Sequence, residues 1–553
     1  MRSRCSRRWC WRRIGTARTN WRSGSWRHWH GPGSYPVETI DRWHLLFGGR
    51  SVRLLRTAIV VGGGMAGLFA ANVLADHCEQ VTVLERDEAW SPRSRPAGHT
   101  ANTDSLSQAA GRTGVPQTRH VHVLLLRGVQ VLRKRFPGLE EELLALGAPP
   151  LNWLKDTAAL AGGSWLPRFD SNLIGFSVSR TLLESQVRER LRRRGNIQFR
   201  TGYRVVGLSS SYTETATNGR RDREGGSNET PVTGTVCTVG DETVTLHADL
   251  VVDASGRSSR LPRWLEELGY ATPQESTVNA DVGYATRWYR IPEGWQADWK
   301  MVLLATRFPD IKGGAVVQPV EDSRWVVTLV GYAGDHPPTD EAGFEEFARR
   351  LIGPQVWNAI SAAEPLTGIG GYRRTENHWR HYERLKRWPR GLIALGDSVC
   401  AFNPVYAQGM TVSALSAEIL DDFLKKRGTR KRGPLGGVPL GSSSLAFQKK
   451  LAKMLQTPWQ LATSDDFRWA GRKAGDASLI EHFMHRYIEH VLDRIHRPDV
   501  CLAFFNAAHL ISPPATLFRP RIALPILWEM VKNGSLQPVA KTTDRQKPEA
   551  TSL

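Results

Sequence analysis

Residues 57–85, TAIVVGGGMAGLFAANVLADHCEQVTVLE, contain a β-branched run, a glycine cluster, an apolar pattern with helical periodicity and a second strand-like run that ends in an acid. This is the strand, G-x-G-x-x-G, helix, strand, acid order of a dinucleotide-binding βαβ unit. Gly62 permits the tight turn, Gly64 lets the backbone approach a pyrophosphate, and Gly67 lets helix and strand pack closely. Glu85 is placed to accept hydrogen bonds from ribose hydroxyls. The motif by itself fits FAD and NAD equally.

Two later segments favour a flavin. HADLVVDASGRSSRL (247–261) is predicted as a strand followed by a turn, and GLIALGDSVCAFNP (391–404) as a strand that ends in Asp397 before a loop and a helix. An acid at the end of a strand beside a dinucleotide site can bind the ribityl chain, and the next helix can direct its N-terminal N–H groups at the flavin ring. The loop would cover the flavin, with Pro404 fixing its shape and Gly409 allowing close approach. The loop from Pro404 to Met410 is predicted to shape the site of oxygen transfer, with Pro404 and Gly409 as the candidate catalytic residues.

Five motifs in order carry a resemblance to a known family. They are IVVGGGMAGLFAANVLADHCEQVTVLERD (59–87), GVPQTRHVHVLLLRG (114–128), SVSRTLLESQVRERL (177–191), DLVVDASGRSSRL (249–261) and GLIALGDSVCAFNPVYAQGMTVSAL (391–415). Together they resemble the single-component FAD-dependent monooxygenases, the group that includes aromatic hydroxylases and squalene epoxidase. GVPQTRHVH (114–122), VNADVGYATRWYR (278–290), FNPVYAQGM (402–410) and QLATSDDFRW (460–469) look most similar to the bacterial flavin epoxidases of polyether biosynthesis.

The resemblance implies an enzyme in which NAD(P)H reduces FAD, O₂ forms a flavin hydroperoxide, and one oxygen atom passes to a small lipophilic substrate. Epoxidation of an alkene in a polyene or isoprenoid is the first expectation. Aromatic hydroxylation and O₂-independent reduction of isoprenoid double bonds are the alternatives. The residues implied to contact FAD are Gly62, Gly64, Gly67, Glu85, Arg112, Arg180, Val205, Asp397 and Met410.

One departure from the hydroxylase pattern concerns the nicotinamide cofactor. The aromatic hydroxylases carry an Asp-Gly pair in the third motif, whereas this chain has Ser255 before Gly256 and an acid at Asp253 instead. The hydroxylases' usual link between that acid and the nicotinamide cofactor is therefore in doubt, and the polyether epoxidases show a similar non-acidic residue.

The expected fold class is α/β, with a Rossmann-like FAD-binding domain, an inserted β-sheet substrate domain and a C-terminal helical region. The expected boundaries are a disordered basic extension at 1–51, FAD-binding segments at 52–270 and 386–424, the substrate sheet at 271–385, a linker at 425–444 and the helical region at 445–553.

The basic character of the chain is concentrated at its N-terminus. The net charge is +20, and residues 1–56 contain thirteen Arg against Glu38 and Asp41. This segment has neither periodicity nor the apolar stretch of a signal peptide, so we expect an unfolded extension or sequence translated from a misplaced start. An arm that binds nucleic acid through Arg and Trp is the alternative, and it predicts salt-sensitive binding. No nucleic acid partner is expected.

The cysteines and the hydropathy pattern bear on location. The six cysteines form no C-x-x-C pair and no zinc-ligand spacing, so we expect a reducing, cytoplasmic compartment and no metal. No run of about eighteen apolar residues occurs, so no membrane span is expected.

The segment PRIALPILWEMVKN (520–533) is apolar with basic residues at its ends. It is interpreted either as a helix buried against the flavin domain or as an interfacial helix giving peripheral membrane contact.

Aromatic strands between residues 280 and 330 are expected to form the sheet above the flavin. Tyr284, Trp288, Gln318 and Trp325 are candidate cavity residues, with plain core packing as the alternative. The HVH triplet at 120–122 would place two histidines on one face of a strand. With no third ligand in the pattern, packing or a hydrogen bond near the flavin is favoured over a metal.

Overall fold

The computed structural model describes residues 55–88, 116–210, 230–428, 443–471 and 479–532. The predicted basic extension at 1–51, the middle of the predicted linker and Arg112 lie outside these ranges. The described residues of the linker belong to the helices on either side of it.

The strands are β1 (Leu55–Val61), β2 (Cys78–Glu85), β3 (Pro150–Asn152), β4 (Thr157–Ala161), β5 (Ser164–Trp165), β6 (Ile174–Phe176), β7 (Ile197–Thr201), β8 (Arg204–Ser210), β9 (Val232–Val239), β10 (Glu242–His247), β11 (Leu250–Asp253), β12 (Glu275–Val278), β13 (Gly283–Arg290), β14 (Met301–Leu304), β15 (Gly313–Val320), β16 (Arg324–Gly331), β17 (Glu364–Pro365), β18 (Gly370–Tyr372), β19 (Asn377–Arg380), β20 (Leu392–Ala394) and β21 (Cys400–Ala401). The helices are α1 (Met65–His77), α2 (Leu126–Arg135), α3 (Leu139–Ala145), α4 (Trp153–Asp156), α5 (Arg180–Arg192), α6 (Leu261–Glu267), α7 (Glu341–Arg349), α8 (Gln355–Ala362), α9 (Gly409–Gly428), α10 (Ser443–Trp469), α11 (Leu479–Asp493), α12 (Pro498–Ala508) and α13 (Pro520–Lys532).

A five-stranded parallel sheet in the order β20-β11-β1-β2-β7 forms the centre of the fold. Strand β1 is central because its residues 58–61 are apolar and buried on both faces, as parallel sheets require. Helix α1 is buried along nearly its whole length, because it packs on the sheet on one side and against α9 on the other. The carboxyl ends of β1, β2 and β11 therefore meet at one edge, where parallel α/β sheets bind ligands.

A second, mixed sheet has the order β17-β13-β16-β15-β14-β4-β5, and β18 pairs with β13. Strands β13, β15 and β16 are the aromatic segments expected to form one sheet, and they do so with antiparallel pairing. Strand β4 joins from the earlier part of the chain and pairs in parallel with β14. One face of this sheet is covered by α7 and α8 through an apolar core that includes Phe344, Phe347 and Val356.

The C-terminal helices divide between two cores. Helix α10 runs for 27 residues and contributes Phe447, Leu451 and Leu455 to the main core beneath α9. Helices α11 to α13 form a smaller core of their own around Tyr487 and Ile526. None of the described helices combines the length and the apolar character needed to cross a membrane.

Candidate cofactor and substrate site

The three motif glycines occupy three different environments at the end of β1. Gly62 has φ +100°, and a Cβ there would lie 2.6 Å from the carbonyl oxygen of Ala254. A Cβ on Gly67 would overlap the carbonyl oxygen of Gly62, so the turn and the start of α1 can approach only without a side chain. Gly64 lies in the open, because the nearest atom to its added Cβ is a guanidinium nitrogen of Arg180 at 3.9 Å. The backbone around Gly64 is thus accessible from a cavity that Gly62 and Gly64 both line.

Glu85 ends β2 at the same edge and is 5% exposed. Its carboxylate accepts a hydrogen bond from the backbone N–H of Gly63 at 3.0 Å and another from that of Asp87 at 3.1 Å. These contacts fix the carboxylate beside the glycine turn, and the residue lines the cavity.

Asp397 lines the same cavity as Glu85. Strand β20 ends at Ala394, so the expectation that the strand runs to Asp397 is wrong. Gly396 takes φ +65°, which ends the extended conformation, and residues 396–398 form a 3₁₀ turn. Burial raises the pKa of the Asp397 carboxyl, and nearby guanidinium groups, first that of Arg257, act in the opposite direction. No hydrogen bond to this carboxyl comes from the part of the chain that the structure describes.

The loop after Asp397 has the compact shape that Pro404 suggests. Residues Pro404–Tyr406 form a 3₁₀ turn, and the Asn403 side chain accepts a hydrogen bond from the N–H of Val405 at 3.2 Å. Gly409 begins α9, and an added Cβ would lie 3.9 Å from an Asp397 oxygen. Pro404, Gly409 and Met410 all line the cavity, as do Val205 and Arg180.

Arg180 owes its position to the start of α5. The Ser179 hydroxyl caps this helix by accepting a hydrogen bond from the N–H of Leu182 at 3.1 Å, which places Arg180 at the first helical position. The Arg180 guanidinium pairs with Glu184 at 3.3 Å. Arg180 is thus held in the cavity wall by its own helix.

A buried carboxylate that the sequence does not single out holds the covering loop. Asp466 of α10 is fully buried, and it accepts hydrogen bonds from Tyr406 at 2.6 Å, Asn377 at 2.6 Å and Asn403 at 3.0 Å. Tyr284 donates to Asn403 at 3.0 Å. Burial raises the pKa of Asp466 to about 6, although these donors act to lower it. Residue 466 lies within the quoted motif QLATSDDFRW, but its partners are distant in sequence, so the motif alone could not name this role.

The HVH triplet does not lie on a strand, because residues 121–125 form an irregular segment after a 3₁₀ turn. Burial lowers the pKa of His120 to about 4 and that of His122 to about 3, so both rings are neutral. His120 hydrogen-bonds with the hydroxyl of Thr286 at 2.7 Å, and His122 with the carbonyl of His120 at 2.9 Å. Among the described residues no cluster of three or more metal-ligating side chains occurs.

Asp253, the acid of the third motif, does not line the cavity. Its carboxylate is buried and accepts hydrogen bonds from the hydroxyls of Ser255 at 2.5 Å and Ser259 at 2.6 Å. The turn therefore presents Ser255 to the cavity instead of an acid. The Asp253 carboxylate therefore faces the turn and not the cavity.

The cavity has a volume of about 1660 Å³ and extends from the glycine turn to the C-terminal helices. This exceeds the roughly 300–1,000 Å³ of a site for one drug-sized ligand. Beyond the glycine turn its wall is mainly apolar, with charged side chains such as Arg307 and Arg468 among the apolar ones, which include Leu303, Val316, Val330, Phe504, Leu517 and Phe518.

Of the four side chains predicted to face the substrate, Tyr284 lines this cavity. Trp288 instead donates to the carbonyl of Arg119, and Gln318 donates to the carbonyl of His122. Trp325 is in the core beneath α7 and α8. The alternating pattern identified the strands but not which face borders the cavity.

Comparison with solved structures defines the class of this fold. The chain superposes on the flavin-dependent brominase Bmp2 with a TM-score of 0.54 at 11% identity, over 87% of this chain and 99% of that one. It superposes on 2-methyl-3-hydroxypyridine-5-carboxylic acid oxygenase with a TM-score of 0.50 at 17% identity, over 76% of this chain and 93% of that one. It superposes on PqsL, a probable FAD-dependent monooxygenase from Pseudomonas aeruginosa, with a TM-score of 0.50 at 17% identity, over 75% of this chain and 98% of that one. The chain thus has the fold of FAD-dependent monooxygenases and halogenases, and the predicted fold class is confirmed.

A sequence relative shows the family. Protein Rv3254 of Mycobacterium tuberculosis (strain ATCC 25618 / H37Rv) is 32% identical over 460 residues, which cover 78% of this chain and 89% of the relative. The chain belongs to the family of this mycobacterial protein. No protein-family model matches the chain.

Proposed function

We propose that the chain is an FAD-dependent monooxygenase that transfers one oxygen atom from O₂ to an apolar organic substrate, with an alkene of a polyene or isoprenoid as the first choice. The observation that carries this proposal is the continuity of one cavity, in which a dinucleotide-type glycine turn opens directly into an apolar chamber. Such a chamber has room for a cofactor and a second, lipophilic molecule.

The residues at the polar end of the cavity suit FAD. The open backbone at Gly64 leaves space for a pyrophosphate at the start of α1, and Glu85 is held where ribose hydroxyls would bind. The Asp397 carboxyl is buried, and the hydroxyls of a ribityl chain could donate hydrogen bonds to it. Arg180 adds positive charge beside Gly64. When bound, FAD would supply the activation of O₂ after reduction by NAD(P)H.

The chain's own contribution is to position the substrate and to exclude water. Arg257 fixes the covering loop by donating to the carbonyl of Phe402 at 3.0 Å, and Asp466 holds its other side. His120 and His122 are neutral, so they add hydrogen-bonding capacity without charge. A mainly apolar chamber would limit the water that could discharge reactive oxygen species.

Aromatic hydroxylation is the second candidate. A phenolate would need a cationic anchor, and Arg307 and Arg468 line the cavity. Both are already engaged, since Arg468 pairs with Glu489 at 2.6 Å and Arg307 pairs with Asp493 at 3.6 Å. These pairings weaken both arginines as anchors for a phenolate.

The first experiment is a visible spectrum of the purified protein before and after NADPH or NADH, under nitrogen and in air. We expect an oxidised-flavin spectrum that bleaches under nitrogen and returns in air. A folded, colourless protein that does not take up added FAD would overturn the proposal.

Two glycine variants make this test specific. Gly64→Val should abolish FAD binding because its side chain fills the open space beside the glycine turn, while its extended backbone, φ −72° and ψ 179°, accepts valine. Gly368→Val is the matched control, because it lies in open space outside the cavity lining. It should bind FAD as the wild type does.

The compound that stimulates turnover then identifies the class of reaction. Oxygen consumption stimulated by a polyene and absent with phenols supports epoxidation, and the opposite result supports hydroxylation. Turnover of an isoprenoid that proceeds under nitrogen would indicate a reductase. A requirement for bromide or chloride would indicate halogenation, which is the activity named for some of the structural neighbours.

A further inference from the structure

The three most exposed large apolar side chains of the described residues lie together on α13. Leu524 is 65% exposed, Trp528 70% and Val531 62%. Their spacing of four and then three residues places them on one face of the helix, which we call the α13 stripe. The opposite face is anchored in the small C-terminal core by Ile522, Ala523, Ile526 and Met530. A second apolar face on a helix that is already anchored marks an interaction surface.

The charges around the stripe are mainly positive. Arg519 and Arg521 lie exposed at its N-terminal end, and Lys532 at its C-terminal end. Arg521 reaches Asp499 at 3.4 Å, yet its side chain remains 83% exposed. The acid of the helix, Glu529, is paired at 3.0 Å with the arginine that follows α11. The stripe therefore presents apolar side chains between cations, which complements an anionic surface.

Elements that pack against α13 border the far end of the cavity. Met484 and Ile488 of α11 line that end, together with Leu517 and Phe518 of the 3₁₀ turn that leads directly into α13. Phe518 stacks on Tyr487 at 4.3 Å, so this turn and α11 form one wall. The chamber thus extends to the elements that pack against α13.

We propose that the α13 stripe is a membrane-docking surface that seats the protein on an anionic lipid bilayer. Its thirteen residues are too few to cross a bilayer, which takes about 20, but a helix of this kind can lie in the interface. Trp528 is suited to the interface because an indole ring prefers the headgroup level. Entry of a lipophilic substrate from the bilayer into the cavity rests on the proposed function, whereas the docking itself does not.

Two other occupants fit the stripe less well. A second copy of the chain would have to be held by three side chains of one helix, whereas a standard interface buries about 800 Å² on each partner. Residues 533–553 contain Leu536, Val539 and Leu553 as their large apolar residues, among mainly polar ones. That segment offers little apolar area to cover the stripe.

Flotation of the full chain with vesicles tests the proposal. Wild type should bind vesicles that contain phosphatidylglycerol and phosphatidylcholine, and bind more weakly to phosphatidylcholine alone. The variant Leu524→Ser, Trp528→Ser, Val531→Ser should show a partition coefficient lower by about tenfold or more, because interfacial binding scales with the apolar area inserted. Ile174→Ser, at a side chain that is 54% exposed on β6, is the matched control and should bind as wild type does.

The outcomes separate the alternatives. The arginine-rich N-terminal segment is identical in every variant, so a difference between variants reports on the stripe. Equal vesicle binding by wild type and the triple variant would overturn the proposal, and so would a wild-type dimer that the triple variant loses. FAD content is measured on the same samples. Failure of the wild type to bind anionic vesicles while it retains FAD contradicts the docking alone, and absence of FAD with vesicle binding retained contradicts the flavin proposal alone.

Discussion

At the scale of single residues, the glycine turn combines two opposite requirements within one motif. Gly67 must lack a side chain because the turn backbone occupies the space of its Cβ. Gly64 lacks one although nothing in the protein fills that space. Gly67 therefore serves the packing of the fold, and we assign the space beside Gly64 to a ligand.

We expect Gly67→Ala to lower the free energy of unfolding by about 3 kcal/mol or to prevent folding, because the overlapping atom belongs to the backbone and cannot move away cheaply. Gly64→Ala should cost about 1 kcal/mol or less, the difference between glycine and alanine at a helix N-cap. Urea unfolding of both variants checks this expectation. Equal losses would contradict the assignment of different roles to the two glycines.

At the scale of elements, the start of α5 and a buried acid position the walls of the cavity. Ser179 caps α5 and thereby places Arg180, while Asp340 caps α7 by accepting a hydrogen bond from the N–H of Gly343 at 2.8 Å. Asp466 joins α10 to the covering loop. The caps are local contacts, whereas those of Asp466 connect elements that are far apart in sequence.

Ser179→Ala and Asp340→Ala form a matched pair. Each should lower the free energy of unfolding by about 1 kcal/mol, since each removes one N-cap hydrogen bond. Only Ser179→Ala should also weaken FAD binding, because α5 carries Arg180 into the cavity and α7 does not reach it. Urea unfolding and titration with FAD measure the two effects. If both variants bind FAD equally well, Arg180 is not positioned by this cap.

Asp466→Asn should reveal the titration of the buried acid. The pKa of Asp466 is about 6 in the folded state and about 3.9 in the unfolded chain. At a pH between these two values, the folded state retains a proton that the unfolded state has lost. The wild type must therefore lose stability relative to Asp466→Asn as the pH rises from 4 to 7. Urea unfolding of both proteins across this range measures the difference. A constant difference would show that Asp466 does not titrate there.

At the scale of the whole molecule, the C-terminal region is part of the flavin-type fold rather than an appendage. Phe447, Leu451 and Leu455 of α10 are fully buried in the main core, and Phe447 packs edge-on against Phe423 of α9 at 5.5 Å. The same region closes the far end of the cavity. The core and the site therefore both depend on it.

A chain that ends at residue 442 should not form a stable fold, because removal of α10 exposes the apolar surfaces of α9 and β20 against which it packs. We expect aggregation on gel filtration and no cooperative thermal transition by circular dichroism. Cooperative unfolding of this shortened chain would show that the main core is complete without α10.

The sequence by itself determined the βαβ unit, the placement of Gly62, Gly64, Gly67 and Glu85 at one sheet edge, and the fold class. Strand and helix periodicities and the glycine spacing are local properties, so they can be read along the chain. The tertiary structure decided that Asp466 holds the loop of Pro404, that Tyr284 and not Trp325 faces the cavity, and that α13 has one buried and one exposed apolar face. Those features depend on contacts between residues far apart in sequence, and an apolar pattern along one element does not reveal which neighbour covers it.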